Sequence, residues 1–289
     1  MESRSEFHWV RGLRYHLRVW GDVEAPPLLL LHGWLDVSAT FAPLVQSLLP
    51  HYQVLAPDWR GLGHTDWAKD GGYWFPDYLA DLDALIDQRL PEQSFALVGH
   101  SMGAQAASLY AGLRPQRIRE LVVLDGLFLP DMEAKLAPKR YAGWLDQQKK
   151  PPQQKYYDSF EQLAQRVKVQ HPQLSDERAL FIARCWGQLD GQGRIRLLAD
   201  PAHRYRGPSL YRAAESEAIW AQITARSCFI DGEKSMFVKA IDDDTKQQRR
   251  QLFPQGYEER VIEGAGHMLH FDAPQATGRA ILEFLHASA

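Results

Sequence analysis

Cysteine is nearly absent from this chain. Two residues in 289, Cys185 and Cys228, lie far apart and outside any metal-ligand spacing. That excludes a disulfide-stapled scaffold and a cysteine zinc site, and both residues, set beside apolar neighbours, read as buried free thiols of a reducing compartment. Long apolar runs are also missing; none approaches the roughly 20 residues that span a bilayer. The opening Met1-Glu-Ser-Arg-Ser-Glu6 is polar with no apolar stretch behind it, so a secretory leader is not expected and a cytoplasmic location is. Charge of one sign is lacking as well. Lys plus Arg number 33 against 36 Asp plus Glu, a formal net charge of −3, which gives no case for nucleic acid or an anionic membrane as partner. Lys149-Lys150 and Arg249-Arg250 read as solvated faces, and Asp242-Asp243-Asp244 as an exposed helix start. Internal repeats and low-complexity stretches are absent.

What is present is an ordinary globular composition, 45% hydrophobic and 24% charged, in a chain long enough for one large α/β domain with an insertion. Phe7 to Val10 and Tyr15 to Trp20 flank Arg11-Gly12 as a hairpin. Leu28 to Leu31 is a continuous apolar run, a strand buried on both faces. Ser38 is placed to cap a helix running to about Leu49. Gln53 to Ala56 is the next strand, and a long loop continues through Gly71-Gly72. Leu79, Leu82, Leu85, Ile86 and Leu90 recur at helical spacing over about Pro76 to Arg89. Leu121 to Leu124 is a further buried strand, ending at Asp125. From about Leu127 to Trp220 no run reads as a buried strand; helical patches fall at about 141–150, 159–170 and 176–186. Alternation then resumes with a strand at Ser227–Ile230, a helix over roughly Phe237 to Leu252, a strand at Tyr257–Ile262 and a last helix from about Pro274 to His286. Strand–helix alternation predicts a mostly parallel sheet with helices on both faces. The expected division is a core of residues 1–126 and 221–289 with a helical cap, or lid, of residues 127–220.

The chemistry centres on Phe95 to Gly103. Phe95 to Val98 reads as a buried strand, Gly99-His100-Ser101-Met102-Gly103 interrupts it, and Ala104 to Leu113 continues as a helix. Strand, G-x-S-x-G, helix is the setting of a nucleophile elbow. The five-residue string alone arises by chance in roughly one chain in ten of this length, so its setting carries the weight. Glycines two residues either side leave room for crowded backbones, and Ser101 then projects from the strand end. The Met102 N–H, at the start of the helix, faces the same space as an oxyanion donor.

A serine nucleophile needs a base and an orienting carboxylate. His267 is the best base: it follows the last strand on Gly264-Ala-Gly266, among the strand-end loops that gather over such a site. His100 lies inside the elbow with its side chain expected to turn into the protein, and His64 on a loop that reaches toward substrate. His270 forms a histidine pair with His267 but has no third ligand group beside it. The second oxyanion donor is expected from the Trp34 N–H, with His32, Gly33 and His100 beside the substrate.

Four stretches, Leu31-His-Gly-Trp34, Asp58-Trp-Arg-Gly-Leu-Gly-His-Thr65, Val98-Gly-His-Ser-Met-Gly103 and Gly264-Ala-Gly-His267, together resemble the α/β-hydrolase fold superfamily, in order and over essentially the whole chain. Leu31 to Asp36, Gly72 to Leu79 and Arg196 to Pro201 are similar, more loosely, to the serine hydrolase-like proteins. The resemblance implies an eight-stranded sheet, a helical cap after the sixth strand, no cofactor or metal, and a Ser–His–acid triad. One position departs from it. Where many relatives carry the acid after the seventh strand in a G-x-x-D pattern, this chain reads Gly232-Glu-Lys-Ser235. Other superfamily members place the acid after the sixth strand, where Asp125 stands. Asp125 is therefore the expected acid, with Asp231, Asp242 and Glu233 as alternatives.

The expected activity is hydrolysis of a carboxylic ester or related acyl bond of a small apolar substrate. Thioester, lactone or carbon–carbon hydrolysis and acyl transfer share the same machinery. Trp34, Trp59, Trp67, Trp74, Trp144 and Trp186 supply an aromatic lining. A protein that only binds a small molecule is the rival reading, prompted by Ser235. The cap also offers a face on which two copies could pair as a homodimer.

Overall fold

The hairpin that opens the chain shows how local chemistry sets the sheet. β1 (Arg4–Val10) and β2 (Leu13–Trp20) pair antiparallel. Arg11 and Gly12 between them both have positive φ, 46° and 83°, as a two-residue turn matching the strand twist demands. This is a computed structural model, and it describes residues 2–69, 72–237 and 240–287.

The further strands are β3 (Pro27–Leu31), β4 (Gln53–Pro57), β5 (Phe95–His100), β6 (Ile118–Leu124), the short β7 (Tyr156–Tyr157), β8 (Gly187–Leu189) and β9 (Ile195–Leu197), then β10 (Arg226–Gly232) and β11 (Tyr257–Ile262). Eight of them form one sheet in the order β1-β2-β4-β3-β5-β6-β10-β11. Only β1–β2 and β2–β4 pair antiparallel; every other pairing is parallel. Helices are α1 (Ala42–Val45), α2 (Phe75–Arg89), α3 (Met102–Leu113), α4 (Ala137–Lys149), α5 (Phe160–Gln170), α6 (Asp176–Trp186), α7 (Ala213–Trp220), α8 (Asp243–Gln251), α9 (Leu269–Asp272) and α10 (Pro274–His286).

The apolar run of β3 explains the layering. Successive side chains point to opposite faces, so Leu29 and Leu31 join one core with residues of α2 and α3, such as Leu82, Leu85 and Leu109. Leu28 and Leu30 join a second core with Phe41, Leu44, Ile281 and Phe284. Burying each such side chain contributes about 2 kcal/mol, which ties helices to both faces. Cys228 is buried in the second core and Cys185 is half-buried on α6; both are free thiols pushed by burial up to about 12.

Between β6 and β10 lies the inserted segment. Ser159 and Ser175 cap α5 and α6 by accepting from the N–H groups of Gln162 and Arg178. The two helices enclose a small core of their own around Leu163, Val167, Ala179 and Ile182. The segment is stitched to the loop after β4: the Gly63 N–H donates to the Leu198 carbonyl at 2.7 Å and the Asp200 N–H to the Gly61 carbonyl at 2.8 Å.

Four expectations need correction. β7, β8 and β9 add a small antiparallel sheet to an insertion expected to be helical; at two or three residues each, and mostly not buried, they are too short to leave a period. α7 packs on α3, and Trp220 belongs to the main core, so by packing this helix is not part of the cap whose expected boundary is residue 220. Ser38 caps no helix: a 3-10 turn spans Ser38–Phe41, α1 is four residues long, and the Ser38 N–H is held by Asp58 Oδ1 at 2.7 Å. α8 starts at Asp243 behind an Asp242 cap rather than near Phe237. The helix expected there crosses Val238 and Lys239, and the loop expected through Gly71 crosses Asp70 and Gly71; these four lie outside the described residues.

Candidate active site

The G-x-S-x-G string folds as a strained turn. Ser101, between β5 and α3, has φ 54° and ψ −116°, a conformation that costs a non-glycine residue about 1–3 kcal/mol. Its surroundings hold it there: the Ser101 N–H donates to the Leu124 carbonyl at 3.0 Å, and its carbonyl accepts from Gln105 N–H at 3.1 Å. A Cβ on Gly99 would lie 2.3 Å from the Gly103 carbonyl oxygen, and one on Gly103 would lie 2.3 Å from that of Leu31. Only glycine lets strand, turn and helix approach this closely.

Three side chains from three strand ends meet here. His267, on the loop after β11, has Nε2 2.9 Å from Ser101 Oγ. Its Nδ1 is 2.6 Å from Asp125 Oδ2. With the proton on Nδ1, the ring donates to Asp125 and accepts from the serine hydroxyl. Asp125 follows β6 at φ 44°. Its side chain is fully buried while that of His267 is 18% exposed, so solvent reaches the ring and not the carboxylate.

Asp125 is itself held by β10 and the turn that follows it. Its N–H donates to the Ile230 carbonyl at 2.9 Å, and its Oδ1 accepts from the Gly232 N–H at 3.0 Å. Ser235 Oγ donates to its Oδ2 at 2.5 Å. Ser235, at the position that departs from the expected G-x-x-D pattern, thus hydrogen-bonds the carboxylate that follows the neighbouring strand. The other carboxylates are engaged elsewhere. Asp231 faces Arg250 at 2.5 Å, and burial raises its carboxyl above the usual range despite that partner. Asp242 caps α8 through the Thr245 N–H at 2.7 Å, and Glu233 accepts from the Gly264 N–H at 2.8 Å.

His32, His100 and His270 are buried while His64 is exposed, and the inward turn of His100 is the one expected of a residue inside the elbow. His32 is fully buried, with Nδ1 2.8 Å from the Gly33 carbonyl and Nε2 accepting from the Trp59 N–H at 3.1 Å. His100 Nε2 meets the His267 carbonyl at 2.8 Å, and burial holds the ring well below the ordinary imidazole value, hence neutral. Neither side chain is among the residues lining the cleft beside Trp34 and Met102, and Gly33, also buried, sits in close approach to His100 and Ser101. His64 packs edge-on against His16 rather than reaching a site. His270 Nε2 turns to Asp36 at 2.9 Å, not toward a metal shared with His267. Among the described residues, no group of three or more His, Cys, Asp or Glu is arranged to hold a metal ion, and no helix is long and apolar enough to cross a membrane.

Trp34 and Met102, the expected oxyanion-donor positions, both border one cleft of about 290 Å³. Its other walls include Tyr73, Trp74, Phe75, Tyr78, Trp144, Gln148, His203 and Tyr205. Trp144 belongs to α4 of the inserted segment and packs against Trp74, ring centroids 6.2 Å apart. Among the described residues, none that lines the cleft carries a carboxylate, ammonium or guanidinium, and burial lowers His203 to about 4, so it too is neutral near pH 7. Of the other tryptophans, Trp59 is buried in the core, Trp186 hydrogen-bonds Asp36, and Trp67 is not among the lining residues. The tyrosines and His203 were not singled out from sequence; the aromatic density of Tyr73 to Tyr78 was the available signal. A larger groove, about 460 Å³ between α8 and β10–β11, is lined by opposed charges such as Asp231, Lys246, Arg250 and Glu259, and none of the three converging residues borders it.

The comparisons with known proteins bear on the fold and the family. The family profile of the α/β hydrolase fold matches residues 26–274. A serine hydrolase-like protein of Danio rerio is 27% identical, over 93% of this chain and 84% of its own length. The 2-(acetamidomethylene)succinate hydrolase of Mesorhizobium japonicum is also 27% identical, over 95% of this chain and 93% of its own. Among solved structures, the thioesterase domain from the curacin biosynthetic pathway superposes with a TM-score of 0.86 at 27% identity, covering 98% of this chain and all of that one. The elbow, the eight-stranded sheet and the family match lead to one conclusion: this chain belongs to the α/β-hydrolase fold family.

Proposed function

We propose that the protein is a serine hydrolase that cleaves a carboxylic ester, or a related acyl bond, of a small apolar substrate through an acyl-enzyme. The observation that carries this reading is the unbroken line of hydrogen bonds from Ser101 Oγ through His267 to Asp125, 2.9 and 2.6 Å long, starting from a strained elbow. His267 takes the Ser101 proton as Oγ attacks the carbonyl carbon. The carbonyl oxygen becomes an oxyanion, held by the backbone N–H groups of Trp34 and Met102. Asp125 keeps the imidazole in the correct tautomer and stabilises its charged form. His267 then gives its proton to the leaving alcohol or thiol. A water, deprotonated by His267, releases the acid and restores Ser101.

The neutral, aromatic cleft supports an apolar substrate, because a carboxylate placed there would lose hydration without a cationic partner. The inserted segment, which brings Trp144 to that cleft, acts in this reading as its lid. The rival idea of a pure binding protein rested on Ser235 leaving His267 without an acid; with Asp125 at 2.6 Å that reason falls away.

The test is a fluorophosphonate probe with peptide mapping. Wild type should label rapidly at Ser101, Ser101→Ala should not label there, and Asp125→Asn should label far more slowly while Asp231→Asn stays near wild type. Failure of the wild type to label would overturn the proposal, and a larger loss in Asp231→Asn would move the acid.

A further inference from the structure

The loop after β3 holds a second buried carboxylate that the chemistry above leaves unused. Asp36 is fully buried, yet its two oxygens take hydrogen bonds from three separate parts of the chain. Thr40 Oγ1, four residues on, donates at 3.0 Å. Trp186 Nε1, at the end of α6 in the inserted segment, donates to Oδ1 at 2.9 Å. His270 Nε2, on α9 directly behind the His267 loop, lies 2.9 Å from Oδ2. The Asp36 N–H also closes a turn onto the Gly33 carbonyl at 3.3 Å, and that turn encloses Trp34.

These contacts continue to the base. The His270 ring stands edge-on to His100, centroids 4.8 Å apart, and the His100 ring is 4.8 Å from that of His267. His100 Nε2 in turn meets the His267 carbonyl at 2.8 Å. Burial alone would raise the Asp36 carboxyl, but the hydrogen bond and charge of His270 outweigh it and hold the group below the usual carboxylate range. A buried charge is expensive to keep and is destabilising once a partner is lost. Here its partners come from the 3-10 turn that follows the Gly33–Asp36 turn, from α9 behind the His267 loop and from α6 of the inserted segment.

We propose that Asp36 is a positioning residue that fastens the Gly33–Trp34 turn, the His267 loop and the inserted segment together, so that oxyanion donor and general base keep one separation through turnover. This rests on the acyl-enzyme reading above. It predicts a loss in kcat rather than in KM, because Asp36 is buried and is not among the residues lining the cleft.

The experiment compares Asp36→Asn, Trp186→Phe and the double variant with wild type on one chromogenic ester and in fluorophosphonate labelling. Asp36→Asn keeps the side-chain size but loses the charge and one acceptor. Its kcat should fall by about tenfold to about a hundredfold, the range that small misplacements cost, with KM within about twofold and labelling at Ser101 slowed in proportion. Trp186→Phe removes a single arm and should lower kcat by about threefold at unchanged KM. In the double variant the two losses should not multiply, since they share one carboxylate. A folded Asp36→Asn with kcat near wild type, a loss confined to KM, or losses that multiply would overturn the proposal. If Asp36→Asn does not fold, Trp186→Phe decides: unchanged kcat refutes and reduced kcat at constant KM supports. A wild type that neither labels nor turns over would instead refute the acyl-enzyme reading.

Discussion

Asp125 and Ser235 invite an exchange. Ser235 Oγ sits 2.5 Å from the same Asp125 oxygen that meets His267 Nδ1 at 2.6 Å, so a carboxylate carried by residue 235 enters the space that Asp125 fills. Asp125→Ser alone removes the partner of the imidazolium. Unit charges about 4 Å apart at an effective dielectric near 20 attract by about 4 kcal/mol, worth about 10³ in kcat, and loss of the correct tautomer takes the deficit toward about 10⁴. Adding Ser235→Asp restores a carboxylate and leaves a hydroxyl at 125 to donate to it. The exchanged protein should recover at least about a hundredfold in kcat over Asp125→Ser, the remainder being lost to looser aim. Ser235→Asp in the wild-type background sets two carboxylates side by side; one then retains a proton, and the acidic limb of the pH–rate profile should move upward. The assay is kcat on a chromogenic ester, with thermal unfolding to confirm that each variant is folded. A folded exchange variant no faster than Asp125→Ser would refute the claim that residue 235 shares the acid's position.

Three further outcomes follow from the structure. Gly103→Ala drives a Cβ to 2.3 Å from the Leu31 carbonyl oxygen, so it should cost about 3 kcal/mol or more and lower Tm by about 6 °C or more; an unchanged Tm in a calorimetric scan would contradict the crowding at the elbow. His32, His100 and His203 are buried and held below the ordinary imidazole value of 6.5 by that burial. The unfolded chain binds these protons first, so stability is complete above 6.5 and falls as pH drops below it, by up to about 1 kcal/mol per pH unit for each group; urea midpoints that stay flat from about pH 7.5 to about pH 5 would refute this. Trp144→Ala opens one wall of the cleft and should raise KM for an aryl ester by about fivefold with kcat within about twofold; an unchanged KM would remove Trp144 from the substrate's surroundings.

The central strands of the large sheet were legible because they are buried on both faces and read as apolar runs, Leu28 to Leu31 above all. The elbow was legible because its glycines are required by close approach, which leaves a mark in one dimension. Side-chain direction leaves none. His32, beside the expected oxyanion donor Trp34 in sequence, reads as a substrate contact, yet its ring is fully buried and turned to Gly33 and Trp59. Ser38 has the chemistry of a cap, but its hydroxyl accepts from Arg18 Nε, twenty residues back, while its N–H goes to Asp58. The contacts Ser235–Asp125 and Trp186–Asp36 join residues 110 and 150 positions apart, a separation at which no local pattern speaks.

The inserted segment is fastened unevenly. Its C-terminal part is sewn to the core by Leu198, Ala199 and Asp200, whose carboxylate also accepts from the Tyr73 hydroxyl at 2.6 Å. α4, by contrast, buries no residue at all and shows Tyr141 and Leu145 to solvent. Local opening draws on regions with few buried contacts, so under native conditions this helix should exchange its amide hydrogens first. A protease should nick the chain between about residues 130 and 155 while the seam at 198–200 and the sheet beneath it stay closed.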